Sequence, residues 1–173
     1  MLTRSSILLV ASLAIKGIMH AQTPDPPEWA FCPSIASQGR TFGELDIMRA
    51  QLMEGHGVDV LYGPFAGIGS TIDAGERILV PKIGYELAMT LITVRLSTAY
   101  YCADRTNDLR FLPEVGLTFF GLADLTYGWT IPLNNDPIPG LTIHRLALTV
   151  NLHRGAWGAC GIRLPLGKKD DSP

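Results

Sequence analysis

Charge is scarce in this chain. Asp, Glu, Lys and Arg make up 17% of its 173 residues, against roughly 25% in ordinary soluble domains. The formal net charge of −2 excludes the basic footprint of a nucleic-acid binder. Beyond the N-terminal segment no long apolar run occurs, so a bundle of membrane-crossing helices is excluded too. Cysteine is sparse: Cys32, Cys102 and Cys160 lack metal-ligand spacing, and an odd count leaves at least one unpaired. In an oxidising compartment one disulfide could form, but spacing does not choose the pair. Small buried or lipid-facing residues is the plainer reading for each.

Catalytic punctuation is also missing. The four histidines, His20, His56, His144 and His153, are not spaced with one another or with Cys or carboxylates as a metal site requires. Gly67-Ile68-Gly69 lacks the following helix, third glycine and lysine of a phosphate loop. No Ser sits in a nucleophile elbow. The expectation is no enzyme, no cofactor and no metal.

What the chain does have is alternation. From Leu109 to Leu133 the odd positions are apolar: Leu109, Phe111, Val115, Leu117, Phe119, Leu125, Tyr127, Trp129, Ile131 and Leu133, with Pro113, Gly121 and Ala123 as exceptions. The even positions carry Arg110, Glu114, Gly116, Thr118, Asp124, Thr126, Gly128 and Thr130. Period-two patterning of this length means two strands, each with one greasy and one polar face. Gly121 to Ala123 supplies a tight turn midway. Each arm has about the length a tilted strand needs to cross a bilayer.

The same pattern recurs elsewhere. Residues 1–21 read as an export signal: Arg4 begins it, Ile7 to Ile15 form its apolar stretch, and Ala21 precedes the cut. Residues 22–40, with Pro24, Pro26, Pro27 and Pro33, are expected to be mostly irregular, with a first strand somewhere in 28–38. A barrel is expected over 41–152 and a polar tail over 153–173. Glu44 and Asp46 alternate with Leu45 and Ile47, then a helical reading competes through Met53. Val58–Thr71 follows as a strand, and Leu79–Leu91 alternates next. Parity inverts at about Thr90 to Ile92, as a very tight hairpin requires. The last strand is expected over Leu141–Leu152.

Connections at 90–92 and 121–123 are minimal, while those at 72–77, 103–108 and 134–140 are longer and polar. Short and long connections alternate, as the periplasmic turns and external loops of outer-membrane barrels do. The expected fold is all-β: an antiparallel up-and-down transmembrane barrel of about eight strands.

A lipocalin-like soluble barrel also alternates, with its apolar face inward. It would hold an apolar ligand against Ile83, Leu87, Phe119 and Trp129. Three features favour the inverted form. The polar faces are mostly Thr, Ser, Gly and Ala, where water-facing surfaces carry more Lys and Glu. Their few charges, Lys82, Glu86, Arg95, Arg110, Glu114 and Arg145, are of mixed sign and could pair inside a narrow barrel, with Glu86 and Glu114 bridging to Lys82, Arg95 or Arg110. Tyr100, Tyr101, Phe111, Tyr127 and Trp129 gather near strand ends, as interfacial girdles do. An eight-stranded barrel is only wide enough for side chains, so a plug without a pore is expected.

The segments VPKIGYELAMTLITVRLS, LRFLPEVGLTFFGLADLTYGWTIPLNN and GLTIHRLALTVNL resemble small outer-membrane β-barrel proteins of Gram-negative bacteria. The resemblance rests on Pro81 to Glu86, Pro113 to Leu117, Leu125 to Gly128 and His144 to Leu146. It implies an outer-membrane location, a lipid bilayer around the barrel and insertion by the outer-membrane assembly machinery. It implies a structural or surface-interaction role and no catalytic residue. Such chains usually stop near the equivalent of Leu152, whereas residues 153–173 continue here.

Overall fold

A computed structural model describes residues 26–54, 59–104, 106–119, 121–134, 137–153 and 157. The expected leader, His56 with the turn around it, Cys160 and the tail beyond 157 lie outside these residues.

Alternating residues between polar breaks form β1 (Glu28–Ser37), β2 (Thr41–Glu54), β3 (Asp59–Thr71), β4 (Leu79–Met89), β5 (Ile92–Cys102), β6 (Asn107–Phe119), β7 (Ala123–Trp129), β8 (Ile131–Pro132) and β9 (His144–Val150). The two-residue β8 continues β7 along β6 in one register, with Glu114 opposite Gly128 and Phe111 opposite Ile131. β9 then returns to β1, with Ser37 opposite Leu146. The result is a closed, antiparallel barrel of eight staves.

Its stagger follows from the pairs. Starting at Ser37, the partners run through Leu146, Tyr127, Val115, Val94, Leu87 and Tyr62 to Gln51. Gln51 lies one residue past Ala50, the partner of Glu28, so one circuit returns to β1 at residue 27. Ten residues of shear over eight staves tilt the strands by about 40°. A barrel of that size leaves room inside for side chains alone.

The connections divide between two ends. The turns at 90–91 and 121–122 share one end with the described start and finish of the barrel. The connections 72–78, 103–106 and 133–143 share the other. The three-residue link Gln38–Arg40, with Gly39 at φ 74°, also lies at this loop end, so the loops there are not uniformly long. The longest connection folds back over the mouth. Its Ile138 is buried among Phe42, Ile78, Val80 and Leu112, and its N–H donates to Asp108 Oδ2 at 3.2 Å.

Several expectations are corrected. The first strand expected within 28–38 is β1, which takes up ten residues of a segment expected to be mostly irregular and pairs with β2 throughout, so the barrel extends back from residue 41 to Glu28. Pro33, which has no N–H to donate, stands where the β1–β9 ladder is interrupted between Ser34 and an isolated Phe31–Leu152 bridge. Proline fits such a gap and would break a continuous ladder. The competing helical reading over Arg49–Met53 loses to β2, whose pairing with β3 continues to Glu54. The closing strand starts at His144, three residues later than expected, because Leu141 packs on the mouth cluster and Thr142 O accepts from Gln38 and Arg110 there.

Parity decides what faces where. Along β2 the inward residues read Phe42, Glu44, Asp46, Met48 and Ala50, all buried. Phe42 belongs to an apolar cluster at the loop end, and Met48 and Ala50 to a second at the turn end with Leu61 and Phe65. Charged side chains fill the layer between. The outward residues are the large apolar ones, with Ile83 and Leu117 each 67% exposed and Phe119 63%. Phe42→Ala should therefore cost about 3–5 kcal/mol in equilibrium urea unfolding. Ile83→Ala, a truncation on the outer wall, should cost less than half of that.

Candidate functional site

Two features stand out as candidates: the ionic layer inside and the apolar wall outside. The ionic layer is a chain of seven alternating charges. Arg145 lies 3.1 Å from Glu114 Oε1 and 2.7 Å from Glu44 Oε2. Lys82 bridges Glu44 and Asp46, at 2.5 and 2.9 Å. Arg95 reaches Asp46 at 2.7 Å, and its Nε lies 3.0 Å from Glu86 Oε2, close enough for ion pairing but without hydrogen-bond alignment. The order Glu114, Arg145, Glu44, Lys82, Asp46, Arg95, Glu86 thus alternates in sign from end to end. It links β2, β4, β5, β6 and β9 across the lumen.

Neutral donors and rings complete it. Ser34 donates to Glu44, Thr126 to Glu114, and Arg95 to Thr149 Oγ1. The Arg95 guanidinium sits 4.5 Å from the centre of the Phe65 ring, a cation–π contact that is stronger for being desolvated. Beyond Glu86, Asn151 donates to both Glu86 and Asp124. Each charge removed from water needs such partners, because an isolated buried ion costs several kcal/mol.

The glycines explain how the carboxylates fit. Glu44 stands opposite Gly69, Asp46 opposite Gly67, Glu86 opposite Gly63 and Glu114 opposite Gly128. A Cβ on Gly67 would collide with the Asp46 carboxylate, and one on Gly128 would lie 2.5 Å from Glu114 Cγ. Each of the four carboxylates faces a partner strand with no side chain there, leaving lumen for the cations that reach them.

Nearer the mouth a second polar group forms. Arg110 pairs with Asp108 at 2.6 Å and donates to Thr130 Oγ1 and Thr142 O. Tyr101 donates to Gln38 Oε1 at 2.7 Å and meets the Phe42 ring edge-on at 6.0 Å.

Lys82, Glu86, Arg95, Arg110, Glu114 and Arg145 all lie inside and buried. Their partners differ in part from expectation. Arg110 serves Asp108, Lys82 serves Glu44 and Asp46, and Glu114 is held by Arg145. Glu44, Asp46, Asp108 and Asp124 were absent from the expected cluster. Their signal was parity, since Glu44 and Asp46 alternate with Leu45 and Ile47.

The outer wall carries aromatics at both rims. Tyr100, Phe111, Tyr127 and Trp129 sit toward the loop end, where Tyr127 and His144 share a 2.6 Å hydrogen bond and Trp129 packs edge-on to Tyr127 at 5.4 Å. Tyr101 is not among them, because adjacent residues of one strand face opposite sides and Tyr101 shares the parity of Arg95 and Ser97. Sequence reading missed the second set, Trp29, Phe31, Tyr62 and Phe119, toward the turn end. Along β6, Phe111 and Phe119 are eight residues apart, about 20 Å of height at this tilt. Ile83, Leu87, Phe119 and Trp129, the residues a lipocalin-like pocket would turn inward, lie on the outer wall. Two shallow grooves of about 450 and 430 Å³ meet on that wall at Ile83 and Thr98.

Among the described residues no group of three or more His, Cys, Asp or Glu side chains could hold a metal ion. Cys32 and Cys102 are both free. Comparison with protein-family models, curated proteins and solved structures finds no match.

Arg95→Met should cost about 3–5 kcal/mol in urea unfolding by stranding Glu86 and half-stranding Asp46. Adding Glu86→Gln should recover part of that loss, as a double-mutant cycle would show. Gly67→Ala should be comparably damaging, because the new methyl displaces Asp46 from both Lys82 and Arg95; the same titration checks it.

Proposed function

We propose that the chain is an outer-membrane β-barrel protein of the small Gram-negative type, with a structural or surface-interaction role and no catalysis. The carrying observation is the inversion of polarity: paired charges fill the lumen, and the wall between two aromatic rims is apolar. Water would oppose such a wall and hydrocarbon would favour it. A closed barrel is one of two architectures that leave no backbone group unsatisfied in lipid. An apolar band about 25 Å tall between aromatic girdles is the usual measure of a transmembrane barrel, and the height of about 20 Å between Phe111 and Phe119 is a few ångströms under it.

In this reading the assembly machinery inserts the exported chain from the periplasm. The turns at 90–91 and 121–122 stay on that side, and the connections 72–78, 103–106 and 133–143 face outward. The side-chain-filled lumen argues against conduction, and the mouth covered by Ile138 argues the same. The surface offered to partners is then the loop end. An exported soluble barrel is the alternative, and it needs an explanation for Ile83, Leu117 and Phe119 in water.

Expression with the leader in a Gram-negative host tests the reading. The protein should fractionate with outer membranes and shift on a gel between unheated and boiled samples. Recovery in the soluble periplasmic fraction would overturn it. Val115 is midway between Phe111 and Phe119, so Val115→Lys should lower stability in lipid vesicles by about 2–4 kcal/mol. Leu133→Lys, beyond the loop-end rim, should cost about 1 kcal/mol or less.

A further inference from the structure

We infer that Arg49 is a docking point for the phosphodiester of a phospholipid in the leaflet next to the turn end. This rests on the membrane reading above and adds a partner to it.

The position is singular. Inward parity on β2 belongs to Glu44, Asp46, Met48 and Ala50, so Arg49 points outward, and it is exposed. The outward positions of the other strands carry Trp, Phe, Tyr, Ile, Leu, Val, Met, Pro, Ala, Thr, Ser and, at the loop end, Cys102, Asn107 and His144. Among the described strand residues, Arg49 is the one Lys, Arg, Asp or Glu with outward parity. The ionic-layer charges, Arg110 and Asp108 are all paired, and the ion pairs of the described residues leave Arg49 without one.

Its surroundings fix its height. Trp29 is its direct cross-strand partner, and Phe31 pairs with the next outward residue, Ile47. On the other side Gln51, two residues along, pairs with Tyr62. Arg49 therefore lies within the turn-end aromatic rim, where side chains meet headgroups. A guanidinium held in hydrocarbon would be costly, but the long arginine stem can lie along the wall and carry the charge to the interface. There the anion available in quantity is the phospholipid phosphate. The planar fork of arginine matches two phosphate oxygens at once, which a lysine ammonium does not. The Trp29 indole beside it is of the kind that anchors at that level. Gln51, also outward and one step nearer the turn, offers an amide to the same headgroup.

The test uses the folded chain in detergent micelles, titrated with phosphatidylglycerol and followed by native mass spectrometry. Diacylglycerol, which has the acyl chains and no phosphate, is the control lipid. Wild type should retain phosphatidylglycerol about fivefold more tightly than Arg49→Leu, with Arg49→Lys between the two and diacylglycerol indifferent to the substitution. Equal phosphatidylglycerol retention by wild type and Arg49→Leu, both giving the heat-modifiable folded band, would overturn the Arg49 assignment and leave the membrane reading standing. Equal loss with diacylglycerol would also overturn it, since the effect would then belong to acyl-chain packing. A chain that folds to a soluble barrel without detergent would remove both.

Discussion

The constraint on which the rest depends is the burial of seven charges in a space too narrow for water to screen them. Ions in that setting are tolerated only in complementary sequence, and the chain from Glu114 to Glu86 alternates in sign without a fault. Each cation is flanked by two carboxylates and each inner carboxylate by two cations. Register is thereby fixed. Sliding one strand by a single residue would turn its charges onto the outer wall and its leucines into the ionic layer. Removing any one member leaves each of its neighbours short of a partner, so the layer acts as a unit rather than as a set of separate bridges.

Other features follow from that layer. The carboxylates need lumen, and Gly63, Gly67, Gly69 and Gly128 leave it on the facing strands. The layer needs protection from solvent, and apolar clusters seal it at both ends, with Ile138 closing the mouth. Because the polar residues are committed inward, the apolar ones are left outside. The greasy exterior and the ionic interior are the same alternation viewed from its two sides. That coupling is why a lipid surround is the economical account of this barrel.

Much of this could be read from the residues. The alternation in Leu109–Leu133, the parity inversion at Thr90–Ile92 and the tight turns placed β4 to β7 within a few residues. Lys82, Glu86, Arg95, Arg110, Glu114 and Arg145 could be picked out as inward by parity alone. Pairing could not, because which strands face each other across the lumen depends on the shear of ten residues, a property of the closed ring and of no single strand. Arg145 thus meets Glu44, a hundred residues away in sequence, and Arg110 meets its near neighbour Asp108. β1 was obscured by Pro33, whose cost disappears at the interrupted β1–β9 seam. The glycines of β3 read as bends or close approaches, because the carboxylates they leave room for stand on other strands. Tyr101 lies near a strand end as the girdle residues do, but its parity turns it inward.

The central claim is that the outer wall meets hydrocarbon. Nuclear Overhauser contacts between side-chain methyls and detergent acyl chains test it most directly, measured on the folded protein in micelles. The account predicts contacts from Ile83, Leu96, Val115, Leu117 and Leu148, and none from Ala99, Ala147 or Val80, which face the lumen. Acyl contacts from the lumen set, or water contacts alone from the wall set, would contradict it.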